Sequence, residues 1–250
     1  MAEELDRVVT VGGSEATIPL DHFVRRTKID FFDDFLGLKL KKVISAENTT
    51  AQWSTVETAL NLGIDNVADA TNGVAQLTLD SDDNAEVACL YFGDTEPFLI
   101  GQGLIFEARV TMAVLCATGT EEVEAAFGLA GEHNALLDSV DVNAWFRTDS
   151  PAGSALKWET DDAVTNDDDN DAGVTLVAGT YNTFKIDASD KTAVQFYVDG
   201  VFIAESDMSG LDATTAKVQP YFQLSKAVSV ANTGVATMYI DYVRITQDRT

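Results

Sequence analysis

At 250 residues the chain is long enough to bury a large core in one domain, and an apolar share of 46% is ordinary for a globular protein. Forty-one acidic side chains against sixteen basic ones give a net charge of −25, a sign that excludes nucleic acid as a partner of the bulk surface. The longest apolar run, 110–117, is interrupted by Thr111 and too short to span a bilayer, so no membrane partner is expected.

Residues 1–28 read as an amino-terminal arm. The opening Met1-Ala-Glu-Glu-Leu-Asp is acidic where a secretory signal is basic, and no apolar region follows. Val8-Val-Thr-Val, then Gly12-Gly13, then Ile18-Pro19-Leu20 form an extended segment with a turn in it. Arg25, Arg26, Lys28, Lys39, Lys41 and Lys42 put six of the sixteen basic residues into eighteen positions. Two readings stay open: a solvated loop and surface strand, or an electropositive foot that docks on an acidic partner. In the second, Val9, Val11, Ile18 and Phe23 would bury apolar surface against the partner, while Arg25, Arg26 and Lys28 steer the approach.

From residue 29 the apolar pattern has the period of strands. Strands are expected over 29–37, 40–46, 52–58, 73–80, 85–92, 104–114, 123–130, 140–147, 154–160, 181–187, 218–224 and 235–246. In the long run 104–114, Ile105, Glu107 and Arg109 look away from Leu104, Phe106, Ala108 and Val110. The remaining run, 194–205, carries Asp199-Gly200 between two apolar halves, the signal of a two-residue type I′ hairpin. That turn sets Val198 opposite Val201, Tyr197 opposite Phe202 and Phe196 opposite Ile203. Both faces are apolar, which predicts a hairpin inside a two-sheet sandwich and not at its margin. About a dozen short strands with turn signals and no helical period predict an all-β, antiparallel two-sheet sandwich or jelly roll over 29–250.

Chemistry is sparse. Cys89 and Cys116 lie in strand-like runs without metal spacing and read as buried hydrophobes. Asp167, Asp169 and Asp171 alternate as calcium ligands do, but Gly173 falls one place late for an EF-hand and Ala178 stands where a bidentate Glu belongs. A solvated acidic loop is the expectation, with no metal and no cofactor. Glu122 and Glu124 have same-face spacing; Asp138 and Asp141 do not. No Glu-x-Asp-x-x-Glu array occurs, and His22 and His133 lie in no nucleophile motif, so no enzyme is expected. Trp53, Trp145 and Trp158, with Tyr91, Tyr181 and Tyr197, are candidates for a sugar-stacking platform, set against an ordinary place in the core.

Asp33-Asp34-Phe35, the run 104–110, Ala126-Phe-Gly-Leu-Ala, Phe196-Tyr-Val-Asp-Gly and Tyr239-Ile-Asp-Tyr-Val-Arg-Ile together resemble the concanavalin A-like, laminin-G-like jelly rolls over about 30–246. Within that group an acidic chain with an amino-terminal arm resembles tailed-phage virion proteins, above all capsid decoration or cement proteins. That resemblance implies a non-enzymatic component on the outer capsid surface, made in a host cytoplasm and partnered by a major capsid protein or another virion protein. It also implies a homo-oligomer, a trimer for preference. The alternative is a carbohydrate-binding module of a phage fibre or a cell-surface assembly.

Overall fold

The computed structural model describes residues 28–36, 53–58, 63–67, 70–116, 123–149, 153–227 and 236–249, together with the backbone of two strands in the arm. Those two, β1 (Arg7–Val11) and β2 (Ser14–Ile18), pair with each other in an antiparallel ladder across the Gly12-Gly13 position. The expected strand over 40–46 lies outside the described residues, as do Phe23, Arg25 and Arg26.

Two eight-stranded antiparallel sheets face each other. The first contains β3 (Lys28–Asp33), β5 (Gly63–Asn66), β6 (Ala75–Thr78), β9 (Leu104–Val114), β14 (Asn182–Ala188), β15 (Val194–Val198), β16 (Val201–Ser206) and β18 (Thr237–Asp248). Its order is β16-β15-β14-β9-β18-β6-β5, with β3 pairing the far half of β18. The second contains β4 (Ser54–Glu57), β7 (Glu86–Tyr91), β8 (Phe98–Leu99), β10 (Val123–Ala130), β11 (Val142–Asp149), β12 (Ala155–Asp162), β13 (Asn166–Thr175) and β17 (Lys217–Lys226). It runs β13-β12-β11-β10-β17-β7-β4, with β8 alongside β17.

Alternation along the strands decides what the sheets bury. Leu104, Phe106, Ala108 and Val110 point inward and are at most 1% exposed, while Ile105, Glu107 and Arg109 point out. Between the sheets the phenylalanines meet edge to face: Phe127 and Phe184 at 4.7 Å, Phe146 and Phe196 at 5.4 Å. Each such ring is worth roughly 1.5–3 kcal/mol of burial. At Gly128, opposite both Trp145 and Tyr221, a Cβ would meet the Ala144 carbonyl oxygen at 2.6 Å, so no other residue fits.

Two expectations are corrected. The Asp199-Gly200 turn forms as foreseen, with φ of 50° and 77°, and Val198–Val201 and Tyr197–Phe202 pair as read. A bulge then sets Phe196 opposite Ala204 instead of Ile203, and β16 is an edge strand, not an interior one. Val201 and Phe202 are 64% and 52% exposed. The acidic run expected as a solvated loop is strand β13, the edge of the second sheet. It is irregularly paired to β12, and Asp169 takes a φ of 55° where the register shifts. Lys157 Nζ reaches Asp149 and Asp169 at 3.0 and 2.9 Å, and the aspartates left facing water discourage a further strand from adding there.

Candidate functional site

The outer face of the second sheet is covered. Leu137, in a single turn of 3-10 helix (Leu137–Ser139), and Val140 pack on Cys89, Tyr91, Ala126, Trp145 and Tyr221. Gln219 Nε2 donates to the Gly131 carbonyl at 2.7 Å and Gln223 Nε2 to that of Ala135 at 3.1 Å, tying segment 131–141 down. Beneath it Arg147, itself 4% exposed, donates to Glu159 at 3.0 Å, to Asp138 at 2.6 Å and to Glu124. Trp145 Nε1 donates to the other oxygen of Glu159 at 2.6 Å. Burial pushes the Glu159 carboxyl up to about 7 against the attraction of Arg147. Within this ion cluster Glu159 is 2% exposed, whereas the side chains of Glu124 and Asp138 are 21% and 72% exposed.

Among the described residues, the outer face of the first sheet is open. A single cross-strand row runs over six strands: Phe202, Tyr197, Lys185, Glu107, Arg244 and Phe32. At the usual strand spacing it is about 24 Å long. Phe202 meets Tyr197 edge-on at 5.7 Å, and Lys185 Nζ lies 4.5 Å over the Tyr197 ring and 3.3 Å from Asp187. Phe32 and Tyr242 stand 5.9 Å apart at the other end, and Phe32 is 56% exposed. Tyr242 donates its hydroxyl to Glu107 at 2.9 Å, and burial together with that bond raises its pKa. In the neighbouring row Arg109 stacks over Tyr181 at 4.4 Å and pairs with Asp241, the bulge residue of β18. The face thus offers rings at both ends with charged donors and acceptors between them. That combination takes ligands having apolar C–H faces and many hydroxyls.

No family model matches the chain, and no curated protein matches its sequence. Solved structures do match in shape. A glycoside hydrolase family 16 endo-glucanase from Bacteroides ovatus superposes with a TM-score of 0.54 at 18% identity, over 86% of this chain and 99% of that one. The Emp47p carbohydrate recognition domain gives 0.50 at 12%, over 86% and 96%. A protein of unknown function from Shewanella oneidensis gives 0.57 at 13%, over 90% and 88%. The fold is a concanavalin A-like jelly roll.

Within the jelly roll the candidate tryptophans take the alternative place foreseen for them, because all three rings are core. Trp53 is 4% exposed, donates to Asp33 at 2.7 Å and packs on Phe92; Trp145 is sealed under segment 131–141; Trp158 leans on Phe196 at 5.3 Å. Tyr91 is buried too, whereas Tyr181 and Tyr197 do lie on the open face. Asp167, Asp169 and Asp171 serve separate partners: Asn170, Lys157 and the Gly173 amide. Lys28 opens β3 and pairs with Asp248 at 3.3 Å, and Val9, Val11 and Ile18 lie in the β1–β2 hairpin. Cys89 and Cys116 are buried free thiols, and burial pushes Cys116 up to about 12. The sequence reading missed Phe32, Phe202 and Tyr242. Their signal was present in outward positions of alternating strands occupied by rings, where polar residues are the rule.

Proposed function

We propose that the chain is a carbohydrate-binding module that lays an extended glycan along the open face of the first sheet. The observation that carries it is the six-residue row ending in half-exposed Phe202 and Phe32, with Tyr197, Lys185, Glu107 and Arg244 between. Rings take the apolar faces of pyranose units, and the ionic side chains bond their hydroxyls. The jelly-roll neighbours support the reading, since one is named for carbohydrate recognition and one for glucan cleavage.

The same reading makes the module non-catalytic. Glu124 and Glu159 are both held by Arg147 under segment 131–141, which supports a structural role for them. Docking of Val9, Val11, Ile18, Phe23, Arg25 and Arg26 on a capsid shell draws nothing from these neighbours. A glycan array followed by calorimetric titration of the best ligand tests the proposal. Tyr197→Ala combined with Phe202→Ala should weaken binding tenfold or more, about 1.4 kcal/mol. Undiminished binding by that folded variant would overturn it.

A further inference from the structure

The loop joining β6 to β7 reads Asp80-Ser81-Asp82-Asp83-Asn84-Ala85-Glu86, with oxygen-bearing side chains at every second position. Asp80, Asp82 and Glu86 bring one oxygen each to within 4.8 Å of one another. Acidic loops alone are commonplace, but this one surrounds a cation. The Lys226 ammonium, on a side chain 0% exposed, is set among the loop's oxygens. It donates to the main-chain carbonyls of Asp80 and Asp82 at 2.9 and 2.6 Å. It also lies 3.1 Å from Glu86, 3.5 Å from Asp82 and 3.6 Å from Asp80 at their carboxylates.

The fit is imperfect in an informative way. An ammonium has three N–H bonds for these five oxygens, and one positive charge for three carboxyl groups. Glu86 is 0% exposed, and its Oε1 has no hydrogen-bond partner among the described residues. Two carbonyls and three carboxylates converging from one short loop are what a hard divalent cation takes. Such a cation satisfies six to eight oxygens and has no N–H directions to match.

We propose that loop 80–86 is a divalent-cation cage in which the tethered ammonium of Lys226 stands in for the ion. The jelly roll therefore keeps this corner closed whether or not calcium is present. Removing the ammonium while keeping the aliphatic stem, as in Lys226→Met, opens the cage to a calcium-class ion.

The full chain, Lys226→Met, and Lys226→Met with Glu86→Gln are titrated with calcium chloride by calorimetry, and their unfolding temperatures are read with and without millimolar calcium. Lys226→Met should bind calcium at a single class of site and gain several degrees on loading. The natural chain should show neither at this loop, and Glu86→Gln should abolish both gains. A Lys226→Met protein that folds only with calcium present also supports the cage. Three outcomes overturn it: Lys226→Met binds no calcium saturably, it responds no differently from the natural chain, or it stays unfolded with calcium as well as without.

Discussion

Replacing Arg147 by Leu should be among the most damaging single changes in the second sheet. The guanidinium answers three carboxylates, but they do not count equally. Asp138 has a side chain 72% exposed and loses little when its partner goes. Glu159 is 2% exposed and loses nearly all its compensation, keeping only the Trp145 Nε1 donor at 2.6 Å and the Asp169 amide at 3.3 Å. Stranding a buried charge by deleting its partner costs roughly 3–5 kcal/mol. Those surviving donors, and the option of taking up a proton, place the loss at the lower end, about 3 kcal/mol. For a chain of this length that is a fall of about 6–12 °C in Tm. Urea unfolding followed by tryptophan fluorescence measures it, since Trp145 itself touches Glu159. Adding Glu159→Gln to Arg147→Leu removes the stranded charge and should recover about half the loss. A single-variant loss under about 1 kcal/mol, or no recovery in the pair, would refute the view that one buried charge dominates this cluster.

Gly200→Val should cost about 1–2 kcal/mol by thermal unfolding: the turn needs its φ of 77°, yet a Cβ there meets nothing within 4 Å, so the loss is backbone strain alone. Glu86, buried between Asp80 and Lys226, and Glu159, beside Arg147, Asp168 and Asp169, both sit at about 7, above the ordinary 4.5. The folded state then binds more protons than the unfolded one between those values, so stability should fall as pH rises from about 4.5 through 7. Urea midpoints should show this slope, flattened by Glu86→Gln; an unchanged slope in that variant would sink the assignment. Chelator should leave the Tm of the natural chain unchanged, because Asp167, Asp169 and Asp171 answer separate partners. Deleting residues 1–27, which stops short of β3, should leave glycan binding intact by calorimetry; its loss would move the binding surface off the open face and onto the arm.

Local chemistry made most of the sandwich readable. Asp199-Gly200 named its turn, and the alternation of 104–114 named its buried side, because φ preference and two-residue periodicity act over a few neighbours. Tertiary context decided what was misread. Six consecutive Asp and Asn residues favour turns on their own, yet 166–171 is held as strand by β12, with Lys157 offsetting charge. The bulge after Tyr197 depends on how β16 leaves the sheet edge, which no pair rule contains. The tryptophans, read as either a platform or core, took the second place for a related reason: burying large rings is favourable, and the indole N–H groups of Trp53 and Trp145 find carboxylates there. Tyr197 and Phe202 do share one face, and burial shows that face turned outward, with Phe202 52% exposed while Phe196 on the other face is 0%.

β18 has a consequence for how the molecule comes into being. Late in the chain, it is the strand against which β3, β6 and β9 all line up, so Asp33 and Val243 become neighbours across more than two hundred residues. While a ribosome is still making the segment before it, the first sheet has its β9-β14-β15-β16 half and lacks the strand that joins this half to β3, β5 and β6. Phe106 and Ala108 on β9 would wait with one open edge beside them. Closure of such distant loops is slow, and an unpaired apolar edge invites association during the delay. The twenty-five net negative charges would keep nascent copies apart through that interval. The acidity of this protein would then serve its synthesis as much as its surface.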